Sequence, residues 1–476
     1  MEMRAVHVAS EAAPFAQSGG LADVVAGLSA ALAEGHRVNV GVIVPLYRGV
    51  EGKLSARSIT LDAGEPIVIT VGPHRFEARL RTAKVGCVTY GFVDCATLYD
   101  RVGTLYGPGG AAEFADNHIR FGALGKAAVD YGARLVGGTP DVLHTHDWQG
   151  AAAAVYARAA NAQVAIVSTI HNLAFRGIFP KHVMSELGFP WSYFDVHHLE
   201  FYDQVCLLKG GLAASDAVTT VSPTYAREIL TPERGEALDG FLRWDVRRLV
   251  GIVNGIDVQS WDPATDRALP APFTAANLVG KAICRAATAA ELGLALAPDQ
   301  PLIGVIARMA HQKGIDLVAE LVPELHRLNA KLVVLGSGEP ELEERFRWLA
   351  SAFSEHLAVR IGFDSALSRR IYAACDLFAM PSRFEPCGLG QLYAMRYGTL
   401  PIVHAVGGLR DTVDDRTGVR FDDPSARGFI AATERAIAIV RDPSVLAKAR
   451  QAAMARDSSW TASALQYVQL YRSLRP

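Results

Sequence analysis

The chain has 476 residues, half of them hydrophobic and a fifth charged, and a formal net charge of −2. That length predicts two domains of roughly 200 residues each, and the near-neutral balance argues against nucleic acid or an anionic membrane as partner. Six scattered cysteines with no C-x-x-C pair point to a reducing compartment and away from a disulfide framework or structural zinc. Residues 4–9 already read as a strand with no signal-peptide pattern before them, and no apolar run is long enough to span a bilayer. The expectation is a cytoplasmic α/β protein.

In chain order, the strand at 4–9 runs into Ser10-Glu11, then Gln17-Ser-Gly-Gly-Leu-Ala-Asp-Val24, then a helix to about Ala33. Val38 to Val44 is the next strand. Ile67 to Val71, Phe76 to Arg81 and Cys87 to Val93 read as hairpins at a sheet edge, and Gly107 to Gly110 as a mobile surface loop. A helix-rich stretch reaches Leu135. The strand Val142 to His144 then ends in Thr145-His-Asp-Trp148. Ala165 to Ile170 ends in His171-Asn-Leu, Ala217 to Val221 ends in Ser222-Pro-Thr, and Gly251 to Asp257 reads as one more strand. Strand, polar turn, helix, repeated in this way, predicts a parallel doubly wound sheet. After a proline-punctuated connection with one helix near 280–293, the pattern repeats through strands at 302–306, 331–335, 358–362, 377–380 and 401–404. A tail with apolar residues at helical spacing follows from Trp460 to Tyr471.

The most informative stretch runs from Met380 to Met395 and on through Gly407-Gly-Leu-Arg-Asp-Thr412. Twice there a strand ends in a polar turn that opens a helix, which is where open α/β sheets bind ligands. Helix starts there offer N–H groups and a positive dipole end to an anion. Glu385 sits among those donors, restrained by Pro381, Pro386 and Cys387. Arg308 and Lys313 follow the strand at 302–306, where two cations suit a diphosphate clamp, the alternative being two solvated surface charges. Gly19-Gly20-Leu-x-Asp23 echoes Gly407-Gly408-Leu-x-Asp411, one helix start in each half. Neither has the G-x-G-x-x-G spacing of a dinucleotide site, which argues against hydride transfer. His144-x-His146-Asp147 has the composition of a metal half-site, completed by His171 or by His197-His198. Its alternative is a polar strand end lining a cleft.

Taken in order, Gln17-Ser-Gly-Gly-Leu-Ala-Asp-Val, His146-Asp-Trp, Ile170-His-Asn-Leu-Ala, Val221-Ser-Pro-Thr-Tyr-Ala-Arg-Glu, Val253-Asn-Gly-Ile-Asp, Arg308 with Gln312-Lys-Gly, and Pro381-Ser-Arg-Phe-Glu-Pro-Cys-Gly-Leu resemble the bacterial glycogen synthase and plant starch synthase family. Tyr397-Gly-Thr-Leu-Pro and the Gly407 motif continue the likeness along essentially the whole chain. The resemblance implies a GT-B fold, α/β, with two Rossmann-like doubly wound domains facing across a deep cleft. Their expected bounds are 1–253 and 254–457, with a C-terminal helix, 458–476, crossing back to the first. It implies transfer of glucose from ADP-glucose to the non-reducing 4-hydroxyl of an α-1,4-glucan with retention, and no metal or other cofactor. Because Arg308, Lys313 and Glu385 fall in one expected domain and His171 and the Gln17 loop in the other, interdomain motion is expected to gate turnover.

By position, the resemblance implies that Arg308 and Lys313 clamp the diphosphate. Glu385 holds the glucose hydroxyls and His171 stands beside the anomeric carbon. Gln17, Gly19, Gly20, Asp23, Asn254, Leu389, Gly390, Gly407 and Gly408 bind the donor, the glycine turns through backbone N–H groups, and Phe363 stacks on adenine. Tyr99 and Asp147 contact the acceptor. One departure matters. The family's first loop reads Lys-x-Gly-Gly-Leu, whereas this chain has Gln17 at the lysine position. Loss of a charge-assisted contact costs on the order of 1.5–3 kcal/mol, so a weakened or non-catalytic binding relative is the runner-up, and a metal-dependent hydrolase built on His144, His146 and Asp147 comes third. Val406, where a threonine often stands, is a smaller departure.

Overall fold

The computed structural model describes residues 3–110 and 112–474. The chain separates into two compact units. One runs to Gly255 and includes the C-terminal helix from Trp460; the other is Ile256–Ser459.

The first unit is built on a nine-stranded sheet in the order Leu249–Gly251, Ala217–Thr220, Ala165–Ile170, Val142–His146, Met3–Val8, Val38–Pro45, Val88–Asp94, His74–Val85, Glu65–Val71. The first seven strands are parallel; the last two turn back as an antiparallel meander at the edge. Met3–Val8 and Val142–His146 are buried almost throughout, as parallel strands covered on both faces must be, although His7, His144, Thr145 and His146 are polar. Chain order reverses at Met3–Val8, so the carboxyl ends of Met3–Val8 and Val142–His146 mark the topological switch point. The ladder between them sets His7 opposite His144.

Helix Gly20–His36 buries Val24, Val25, Leu28 and Leu32 at helical spacing. The C-terminal helix Trp460–Leu474 packs on it. A Cβ on Gly27 would come within 2.0 Å of the Trp460 indole nitrogen, so only glycine permits that approach. Through this helix Tyr471, fully buried, reaches the sheet.

One expected strand is shorter than its sequence suggested. Gly251 to Asp257 pairs only as far as Gly251, opposite Thr220. It is an edge strand with one neighbour, and that neighbour is only four residues long, so the ladder runs out and the apolar Ile252 and Val253 continue as irregular chain.

The second unit carries a six-stranded parallel sheet in the order Leu357–Ile361, Lys331–Gly336, Leu302–Ile306, Leu377–Met380, Leu400–His404, Val419–Phe421. This is a doubly wound sheet with its switch point between Leu302–Ile306 and Leu377–Met380. Val419–Phe421 was not foreseen, because three residues are too few for a periodic signal. Among the described residues, no helix is long and apolar enough to cross a membrane.

Candidate active site

In the second unit the switch point brings two loops together. Ile306 leads into Arg308 and Lys313, and Met380 leads into Ser382 and Glu385. Glu385 is buried, and its Oε2 accepts from the Lys313 ammonium at 2.6 Å and from the Ser382 hydroxyl at 3.1 Å. Oε1 has no partner among the described residues. The loop is held from both sides. The Arg383 guanidinium forks onto Asp316, two bonds of 2.7 Å each, the bidentate geometry that fixes orientation as well as distance. His404 Nδ1 donates to the Ser382 carbonyl at 2.8 Å. Arg308 is exposed and, among the described residues, hydrogen-bonds only to the Gln312 side chain, at 3.2 Å, so it keeps most of its donors for a ligand.

The double glycine has a packing reason. Gly407 has φ of +42°, and a Cβ there would stand 2.0 Å from the Glu385 carbonyl oxygen. A Cβ on Gly408 would stand 2.3 Å from the Cys387 oxygen. The Gly408 N–H donates to the Glu385 and Pro386 carbonyls, both at 3.1 Å. This corrects one expectation: that N–H is spent inside the protein and is not offered to phosphate. Its work is to hold the backbone that carries Glu385. Helix Gly390–Arg396, by contrast, starts at Leu389 with no side chain capping it, which leaves its first N–H groups unclaimed by a cap. Phe363 is 93% exposed just past the end of a strand, a free aromatic face.

In the first unit the Gln17–Asp23 loop is organised by a residue the sequence reading passed over. Glu11, buried just after Met3–Val8, accepts from the Ser18 N–H at 2.6 Å, the Ser18 hydroxyl at 2.5 Å and the Gly19 N–H at 3.4 Å. The Tyr106 hydroxyl donates to it as well, so the loop expected to be a free surface connection is anchored beside Tyr106. Gly20 begins the helix and is exposed. The Gln17 side-chain amide donates to Asp23 at 2.9 Å. Burial, and next the charge of Glu11, raises the Asp23 carboxyl to about 6, while the Gln17 bond pulls it down. Asn254 is buried, and its side-chain oxygen has no hydrogen-bond partner among the described residues, an orphan acceptor that calls for a ligand or water.

His171 lies at the carboxyl end of Ala165–Ile170, and burial lowers its pKa to about 3. Its backbone N–H donates to Asp147 at 2.7 Å. Asp147 corrects a second expectation. It is buried, in a left-handed conformation with φ of +51°, and its carboxylate is turned to the backbone of the His171 loop rather than outward to an acceptor. Burial raises that carboxyl to about 7, against the pull of the His171 and Asn172 N–H groups. Tyr99 is the third correction. Its ring is 1% exposed and its hydroxyl donates to the Arg120 carbonyl at 2.7 Å, so it is core rather than a platform for a sugar.

The histidine motif gathers a member not foreseen. Nitrogens of His7, His144 and His146 lie within 4.8 Å of one another, all three rings buried. All six ring nitrogens already have hydrogen-bond partners: His7 and His146 with each other, His146 also with His171, His144 with Tyr471 and Thr169, and His7 with Tyr471. Asp147 is engaged elsewhere, and the cluster supplies no carboxylate. His197 and His198 face Asp245 and Asp195 instead. They line a separate cavity of about 370 Å³ that contains none of the motif residues above and whose Arg158 is paired with Asp216.

Known proteins resemble the chain over its full length. The family described as starch synthase catalytic domain matches residues 4–244, and the family described as glycosyl transferases group 1 matches residues 300–438. A protein named glycogen synthase from Anaeromyxobacter dehalogenans (strain 2CP-C) is 44% identical, covering 100% of both chains. One of the same name from Myxococcus xanthus (strain DK1622) is 43% identical over 99% of each. The solved catalytic domain of starch synthase IV from Arabidopsis thaliana, bound to ADP and acarbose, superposes with a TM-score of 0.89 at 32% identity, covering 100% of this chain and 99% of that one.

Proposed function

The chain belongs to the starch and glycogen synthase family of glycosyltransferases, and from that premise we propose that it transfers glucose from ADP-glucose to the non-reducing 4-hydroxyl of an α-1,4-glucan, with retention at the anomeric carbon. The observation that carries this reading is Glu385, held by Lys313 and Ser382 through Oε2, with Oε1 left for a sugar hydroxyl. The ADP and acarbose in the Arabidopsis relative support an adenine nucleotide sugar as donor.

In this reading Arg308 and Lys313 neutralise the diphosphate as the sugar–phosphate bond breaks, the electrostatic stabilisation that matters most when the leaving group is already good. The helix start at Leu389 and Gly390 offers backbone N–H groups to phosphate, and Phe363 stacks on the base. Glu385 orients the glucose, and its negative charge faces the positive charge that develops at the anomeric carbon. His171 contacts the sugar, and Asp147 serves by fixing the His171 backbone. Gln17, Gly19, Gly20, Asp23 and Asn254 complete the donor contacts. A double-displacement glycosidase would need two carboxylates about 5–5.5 Å apart at the reacting bond. The groups named here suit front-face transfer assisted by the leaving phosphate. The reaction runs without metal in this proposal, because the histidine cluster has its nitrogens committed. All six cysteines are free thiols, which supports a cytoplasmic setting.

Incubation with glycogen and either ADP-[14C]glucose or UDP-[14C]glucose tests the assignment. Label is expected in polymer, preferentially from ADP-glucose. Preference for UDP-glucose overturns the donor, and label recovered only as free glucose overturns synthesis.

A further inference from the structure

A continuous chain of seven side chains crosses the first unit. Oγ1 of Thr219 is 2.6 Å from Oγ1 of Thr169, and Thr169 is 2.6 Å from Nε2 of His144. Nδ1 of His144 is 2.6 Å from the Tyr471 hydroxyl, which is 3.4 Å from Nε2 of His7. Nδ1 of His7 is 3.0 Å from Nε2 of His146, and Nδ1 of His146 is 3.0 Å from Nε2 of His171. The first six members are buried. His171 is partly exposed, and its Nδ1 has no partner among the described residues.

A neutral imidazole has one N–H and one bare nitrogen, and a hydroxyl has one proton to give. Burial keeps the rings neutral. The proton of one member therefore dictates the proton of the next. Two orderings satisfy every link and also give the buried Tyr471 proton an acceptor within the chain. If Tyr471 donates to His7, then His7 and His146 donate from Nδ1, and His171 ends with its proton on Nδ1. If Tyr471 donates to His144, the order runs the other way: His171 donates from Nε2 to His146, and its Nδ1 is a bare acceptor. The distances choose between them. The hydroxyl is the better donor, and its contact with His144 is short, whereas its contact with His7 is long.

We propose that Tyr471, acting through His7 and His146, is a positioning residue that fixes His171 in the Nε2–H tautomer, so that Nδ1 accepts a hydrogen bond from a sugar hydroxyl. The sugar as ligand rests on the function proposed above; the tautomer does not. The C-terminal helix thereby sets the polarity of a site residue that it does not touch.

Ring-15N-labelled histidine and long-range 1H–15N correlation spectra of the free, full-length protein read the tautomer directly, with His171 assigned by loss of its signals in His171→Gln. A proton on Nε2 is expected, and a proton on Nδ1 overturns the proposal whether or not the protein proves to be a glucosyltransferase. In Tyr471→Phe, which keeps the packed ring and removes only the hydroxyl, the His171 nitrogens should shift toward a mixture of tautomers. Its kcat should fall about tenfold, the scale of one misplaced hydrogen bond, with donor KM unchanged within about twofold. An unaltered His171 spectrum in Tyr471→Phe shows that the chain does not transmit and contradicts the proposal. So does a loss confined to thermal stability.

Discussion

The Lys313 ammonium lies 2.6 Å from Oε2 of Glu385, with the glutamate buried and the lysine partly open. In the proposed reaction each serves the other and the donor at once. Replacing Glu385 by Gln, or Lys313 by Ala, should lower kcat about 10²- to 10³-fold, the range for removal of one preorganised electrostatic contact. Initial rates of glucose transfer at saturating glucan check this. A loss seen only in donor KM would make the pair a binding device instead.

Gln17 donates to Asp23, at the position where the family resemblance implies a lysine. In Gln17→Lys the amide becomes a cation, so the Asp23 carboxyl should fall from about 6 toward the ordinary range. Activity with ADP-glucose should rise severalfold to tens of times, as expected for restoring a charge-assisted contact. Carboxyl 13C titration and donor kinetics read the two effects separately. Unchanged or reduced activity would show that this chain is tuned to glutamine.

Asp147 sets a pH dependence of stability. Burial raises its carboxyl to about 7, so between the ordinary carboxylate range and about 7 the folded state binds more protons than the unfolded state. The stability this group contributes is fully present below its unfolded pKa and is lost as pH rises through about 7. Thermal midpoints should therefore fall less between about pH 5 and pH 8 in Asp147→Asn than in the parent. Equal falls would mean that Asp147 does not titrate in that window.

Gly408 has no room for a methyl group, since its Cβ would stand 2.3 Å from the Cys387 carbonyl oxygen. Gly408→Ala should displace the backbone that carries Glu385, lowering the thermal midpoint by about 3 °C or more and reducing transfer together with it. A variant with parental activity and stability would show that the turn yields without cost.

Much of this was legible because it is local. Strand 302–306 and strand 377–380, each with charged residues at its carboxyl end, announce a ligand site through chain order alone. The glycine pair announces a close approach. The sequence could not say which backbone approaches, and Gly408 proved to serve Glu385 rather than phosphate. Glu11 follows the first strand and was readable as a polar strand end, but its hold on Ser18 and Gly19 depends on a loop folding back. Tyr99 and Asp147 were misread because their motifs place them near a site without saying which way a side chain turns. His7 and Tyr471 meet only in the fold: strand register brings His7 to His144, and the returning terminal helix brings Tyr471 to both.

The central claim is glucose transfer to a glucan, and the most direct measurement is a 1H NMR time course with ADP-glucose and a maltooligosaccharide. New α-1,4 anomeric signals should grow mole for mole with ADP released, and with no free glucose. ADP release matched by free glucose, or no consumption of ADP-glucose at all, would contradict the account.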